Sequence, residues 1–78
     1  MSQLEKLIAR IKARPPEADF AGVRALLEAF GWRHDRERGS HVTFLKQGEY
    51  PIVLSKHHGR RVKRTYVAMI CERLGLDE

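Results

Sequence analysis

Apolar positions in the first part of the chain recur with a helical period: Leu4, Leu7, Ile8 and Ile11 fall at i, i+3, i+4 and i+7. Ser2-Gln3-Leu4-Glu5 has the S-x-x-E form of a capping box, so a helix is predicted from Gln3 to Ala13. Pro15-Pro16 ends it, because proline cannot donate to a helix and disfavours helical backbone in the residue before it. A second amphipathic helix follows, with Asp19 as its cap and Phe20, Val23, Leu26, Leu27 and Phe30 along one face. Gly31 is placed to close it with left-handed backbone, and Gly22 near its start allows close packing.

From Trp32 the period changes to two. Trp32 to Glu37 reads as a strand of weak propensity, Arg38-Gly39-Ser40 as a turn, and His41 to Gln47 as a stronger strand. In that strand Val42 and Phe44 share one face, and His41, Thr43 and Leu45 share the other. If Val42 and Phe44 pack on the helices, His41 stands on the open side of the sheet or at its rim. Gly48-Glu49 turns the chain into a third strand, Tyr50 to Ser55, in which Pro51 lies near the start where a missing donor is tolerated. Lys56 to Arg61 reads as a loop. A last helix starts at Val62 or Lys63 and runs to Leu74, burying Tyr66 or Val67, Ile70, Cys71 and Leu74, with Gly75 at its end.

The order is therefore helix, helix, three-strand antiparallel meander, helix. It is an α+β arrangement in which the helices cover one face of the sheet. A chain of 78 residues makes a single domain, here residues 1–78, and must build a compact core. No apolar run approaches the ~20 residues of a membrane span, and the N-terminus lacks the apolar core of a signal peptide, so a cytoplasmic protein is expected. Cys71 is the only cysteine, which fits a reducing compartment, and its helical setting marks it as a small buried hydrophobe.

Charge changes the picture. Fifteen Lys and Arg against ten Asp and Glu give +5, a balance that suits a polyanion or an acidic protein surface. The cations concentrate in Lys56-His57-His58-Gly59-Arg60-Arg61-Val62-Lys63-Arg64. Such a run is often only a solvated loop. At a helix start, however, the macrodipole disfavours cations, and an anion such as phosphate relieves the repulsion. His57 and His58 are adjacent, so their side chains are expected to diverge. Four histidines without a cysteine pair or an H-x-x-x-H spacing do not make a metal site, and no phosphate loop, Ser-His-Asp order or carboxylate pair stands out. Histidine is the residue type suited to proton transfer near neutrality, but residue chemistry alone favours reading His41 as a surface histidine at a strand start. His34 reads as a bystander on a polar edge strand.

Gly31-Trp32, Arg38-Gly39-Ser40-His41 with Phe44, Lys63 ahead of Tyr66-Val67, and Leu74-Gly75-Leu76 together resemble the HicA family of toxins from toxin-antitoxin pairs. The resemblance covers Phe20 to Leu76 and leaves residues 1–14 as an added N-terminal helix. It implies a fold like that of a double-stranded RNA-binding domain. It also implies a metal-independent mRNA interferase, without cofactor, that is neutralised by a HicB-type antitoxin protein. The family's functional histidine, in Gly-Ser-His, carries over onto His41. Many relatives place a second polar residue directly after it, where this chain has Val42.

On this reading His41 is catalytic. Arg38, Lys56, Arg60, Arg61 and Lys63 bind the RNA backbone, and Ser40, His57 and His58 are auxiliary. The competing expectation is a non-catalytic RNA-binding module, or an inactive relative that only binds a partner protein.

Overall fold

A computed structural model describes residues 2–76. Helix α1 spans Gln3–Lys12 and opens with the expected capping box: Glu5 N–H donates to Ser2 Oγ at 3.1 Å, and Ser2 N–H donates to Glu5 Oε1 at 3.3 Å. Helix α2 (Phe20–Ala29) follows a short strand, β1 (Glu17–Asp19). A meander of β2 (Arg33–Arg38), β3 (His41–Leu45) and β4 (Ile52–Ser55) comes next, then β5 (Arg61–Lys63) and helix α3 (Arg64–Arg73). Both α2 and α3 end in the same way. Gly31 (φ +91°) and Gly75 (φ +71°) take left-handed backbone, Trp32 N–H returns to Leu27 O at 2.9 Å, and Leu76 N–H returns to Cys71 O at 2.8 Å. These six-to-one bonds satisfy carbonyls that the helix ends would otherwise leave open.

The three-strand antiparallel sheet has the order β2-β3-β4, and its buried face carries Val42, Phe44, Ile52 and Leu54, each at most 1% exposed. Against it pack Val23, Leu26 and Leu27 of α2 and Val67, Ile70 and Cys71 of α3, so one continuous core joins the helices to the sheet. Ile11 of α1 is 2% exposed in the same core, and the Cys71 thiol donates to Ile11 O at 3.3 Å. A Cβ at Gly22 would lie 3.3 Å from Leu7 Cδ2, so the glycine does let α1 approach α2 closely.

The pattern of the chain differs from expectation around β1 and β5. These strands form a separate two-stranded antiparallel ribbon with Glu17 opposite Lys63, Ala18 opposite Val62 and Asp19 opposite Arg61. Helix α3 accordingly begins at Arg64, not at Val62 or Lys63, since Val62 is fully buried as a ribbon residue beside Ala18. The segment expected as a loop, Lys56 to Arg61, is a tight turn bridged between His57 and Arg61. Asp19 stands at the cap position of α2 but makes no side-chain cap bond, and Phe20 N–H instead donates to Arg60 O at 2.8 Å. Two strand ends are shorter than predicted. A turn at Lys46–Glu49, with Gly48 at φ +84°, takes up Lys46 and Gln47, and Tyr50 lies outside β4 with 85% exposure.

Candidate active site

The β2–β3 hairpin is as tight as the chain allows: Arg38 pairs directly with His41, leaving only Gly39 and Ser40 in the turn. Gly39 takes φ +61°, and the space around it is open, so its backbone conformation and not crowding requires glycine there. His41 is exposed on the face opposite Val42 and Phe44, as the period of two predicts. Residues directly opposite in an antiparallel pair share a face. The register therefore sets Arg38 and Ser55 on either side of His41, and Arg36 and Val53 on either side of Thr43. Arg33 stands beside Leu45 further along. Arg33 and Arg36 are 74% and 71% exposed, so the open face carries an arginine row that ends at His41. Sequence reading missed Arg33 and Arg36, because a bulge at Asp35 interrupts the alternation of β2.

The same bulge turns His34 and Glu37, three residues apart, toward the core side, opposite Phe44 and Val42. His34 is no bystander. Its ring meets Phe44 edge-on at 5.5 Å, its Nε2 lies 3.6 Å from Glu37 Oε1, and that buried nitrogen has no hydrogen-bond partner. Glu37 in turn holds Lys56 Nζ at 2.5 Å, and the Lys56 ammonium lies 4.8 Å from the centre of the Phe20 ring. The Lys56 hydrogen bond holds the Glu37 carboxyl below its ordinary 4.5, with the smaller pull of the His34 contact in the same direction. Lys56, a predicted RNA contact, thus has its charge matched within the protein and only 13% of its side chain exposed. What it does directly is structural. Its backbone N–H donates to Ser40 O at 2.7 Å and fastens the Gly-Ser-His turn to the basic loop.

Beyond that fastening the loop and α3 form a cleft of about 240 Å³ lined by Ser40, Ser55, Lys56, His57, Lys63 and Tyr66. The predicted auxiliary residues Ser40 and His57 meet there, whereas His58 does not line it. His57 Nε2 lies 3.9 Å from Glu17 Oε2. The two adjacent rings do not diverge as expected: their centres are 4.0 Å apart, because His58 takes left-handed backbone with φ +54°. Arg60, Arg61 and Lys63 are exposed, but only Lys63 belongs to the start of α3, as its cap. Arg61 and Lys63 stand in the ribbon opposite Asp19 and Glu17, an arrangement that offsets their charge across the strands.

Among the described residues no group of three or more His, Cys, Asp or Glu side chains converges as metal ligands would, and no helix is long and apolar enough to cross a membrane. Residues 21–76 match the family described as the HicA toxin of bacterial toxin-antitoxin systems. The chain belongs to the HicA toxin family. The match runs from α2 through α3 and includes every candidate site residue, while α1 and β1 precede it. No curated protein and no solved structure gives a significant match. Membership of a HicA toxin-antitoxin system gives the protein a toxin's role and implies an antitoxin partner.

Proposed function

We propose that this HicA toxin is a metal-independent endoribonuclease that cuts mRNA with His41 and is neutralised by a HicB-type antitoxin. The observation that carries the reading is His41 itself. It is exposed at the end of an arginine row, on a face that the core leaves open, and next to a turn held by glycine and by the Lys56–Ser40 bond. In RNA the ribose 2′-hydroxyl supplies a nucleophile inside the substrate. His41 takes the 2′-OH proton as the oxygen attacks the adjacent phosphorus in line, or gives a proton to the departing 5′-oxygen; either step needs a group that changes protonation near neutral pH. Arg38, with Arg33 and Arg36 behind it, holds the backbone phosphates and offsets charge in the transition state, and Arg60, Arg61 and Lys63 extend the basic surface.

The test is cleavage of RNA in EDTA by the purified protein and by His41→Ala. Because His41 is exposed, the variant should remain folded, with stability within about 0.5 kcal/mol of the parent. Its cleavage rate should fall by about 100-fold or more. A parent that leaves RNA intact, or a folded variant that cuts as fast, defeats the assignment. The position after His41 is occupied by the buried Val42, which cannot transfer a proton, and this favours the second reading of a non-catalytic RNA-binding or partner-binding protein. That reading requires RNA binding without turnover and normal growth of cells that express the protein. Growth arrest relieved by the product of an adjacent gene excludes it.

A further inference from the structure

The cleft between the Gly-Ser-His turn and α3 has no part in the chemistry assigned to His41, yet its composition is unusual. Three hydroxyls line it, those of Ser40, Ser55 and Tyr66, and no protein hydrogen bond to any of them is present among the described residues. Lys63 lines the same space and is likewise unpaired there, unlike Lys56, whose ammonium is held by Glu37. The cleft therefore offers three neutral donors and the Lys63 ammonium, which makes no ion pair within it, with no carboxylate among its lining residues. Hydroxyl donors and an ammonium are what the oxygens of a phosphate group accept from, and such charge-assisted bonds are the stronger kind.

The position is as informative as the composition. Ser55 is the direct cross-strand partner of His41, and side chains so paired have Cβ atoms about 5 Å apart. Ser40 precedes His41 in the turn. Two of the hydroxyls thus lead from His41 into the cleft, and Tyr66 and Lys63 form its far wall. We infer that this cleft is a subsite for one phosphodiester of the RNA chain, the one that adjoins the bond cut at His41. The inference rests on the reading of His41 as a ribonuclease residue for the identity of the chain it binds. It adds Ser55 and Tyr66 to the contacts with RNA and gives Lys63 a defined target. Lys56 belongs to the subsite as a fastening, since it carries the backbone bond that keeps Ser40 at the rim.

A subsite for a neighbouring phosphate contributes to binding more than to bond breaking, so its loss should appear chiefly in KM. Tyr66→Phe removes a hydrogen-bond donor to a charged group and Lys63→Gln removes a positive charge, and each should raise KM for a short RNA about tenfold while lowering kcat by less. Tyr66→Phe keeps the ring, so unfolding temperatures of both variants should match the parent. Titration of the intact protein with inorganic phosphate, followed by amide NMR, should shift the signals of Ser40, Ser55 and Lys63 in the parent and lose saturation in the double variant. Unchanged KM in both variants, or phosphate shifts that avoid these three amides, overturns the subsite. The two readings fail separately. A parent that cuts RNA but shows neither effect removes the subsite alone, and a parent that binds phosphate in the cleft but never cuts removes the nuclease alone.

Discussion

His58 holds φ +54°, a conformation that costs an L-residue about 1–2 kcal/mol, and glycine adopts it freely. His58→Gly should therefore leave stability within about 1 kcal/mol, since relief of strain and the added freedom of the unfolded chain offset one another. His58→Val should lose about 1–2 kcal/mol in urea unfolding, because a branched side chain fits left-handed backbone worst. Glu37 gives a second test at this scale. Its carboxyl lies below the ordinary 4.5 in the folded protein, chiefly through the Lys56 hydrogen bond, so its contribution is complete above that value and disappears as pH falls through the folded pKa. Glu37→Gln should be less stable than the parent at pH 7, and thermal melts of the two should converge in acid, below the pKa that Glu37 has in the folded protein. A gap of equal size at pH 7 and in acid would show that the ion pair is not its source. The sequence revealed which way His41 faces, because β3 alternates without interruption. It hid the His34–Glu37–Lys56 chain, because a bulge at Asp35 resets the period and puts both β2 side chains where alternation denies one of them.

Among the elements, α1 lies outside the span matched by the family yet contributes Ile11 to the shared core. Ile11→Ala should cost about 2–4 kcal/mol, a large share of the stability of so small a domain, and urea unfolding measures it. A loss below about 0.5 kcal/mol would mean that α1 rests on the remainder without supporting it. The three helices were readable because their apolar spacing, capping box and terminal glycines are local signals. The ribbon of β1 and β5 was not. Each strand has three residues, and Glu17, Asp19 and Lys63 are poor strand formers. Only the pairing of Ala18 with Val62, between parts of the chain far apart in sequence, makes them strands. The start of α3 was misplaced for the same reason, since ribbon pairing claims Val62 and Lys63.

For the molecule as a whole, two basic areas lie on either side of the Gly-Ser-His turn: the arginine row of the open face and the loop from His57 to Lys63. If RNA contacts three or four phosphates there, the logarithm of its binding constant should fall with the logarithm of salt concentration at a slope of about −2 to −3. Fluorescence anisotropy with an RNA carrying 2′-O-methyl groups, which cannot be cut, reads that slope directly, and a slope near zero would remove phosphate binding from the account. Inhibition by an antitoxin that works through acidic residues should weaken with salt in the same direction. The ribbon has a further consequence, for the order in which the molecule assembles. It closes a loop that contains α2 and the entire meander, so its contacts reward the chain only after a large entropy of closure has been met. Hydrogen exchange should accordingly find β1 and β5 opening before the centre of β3, and each opening releases the wall of the cleft that Lys63 supplies. The basic rim would then settle after the meander and come undone before it.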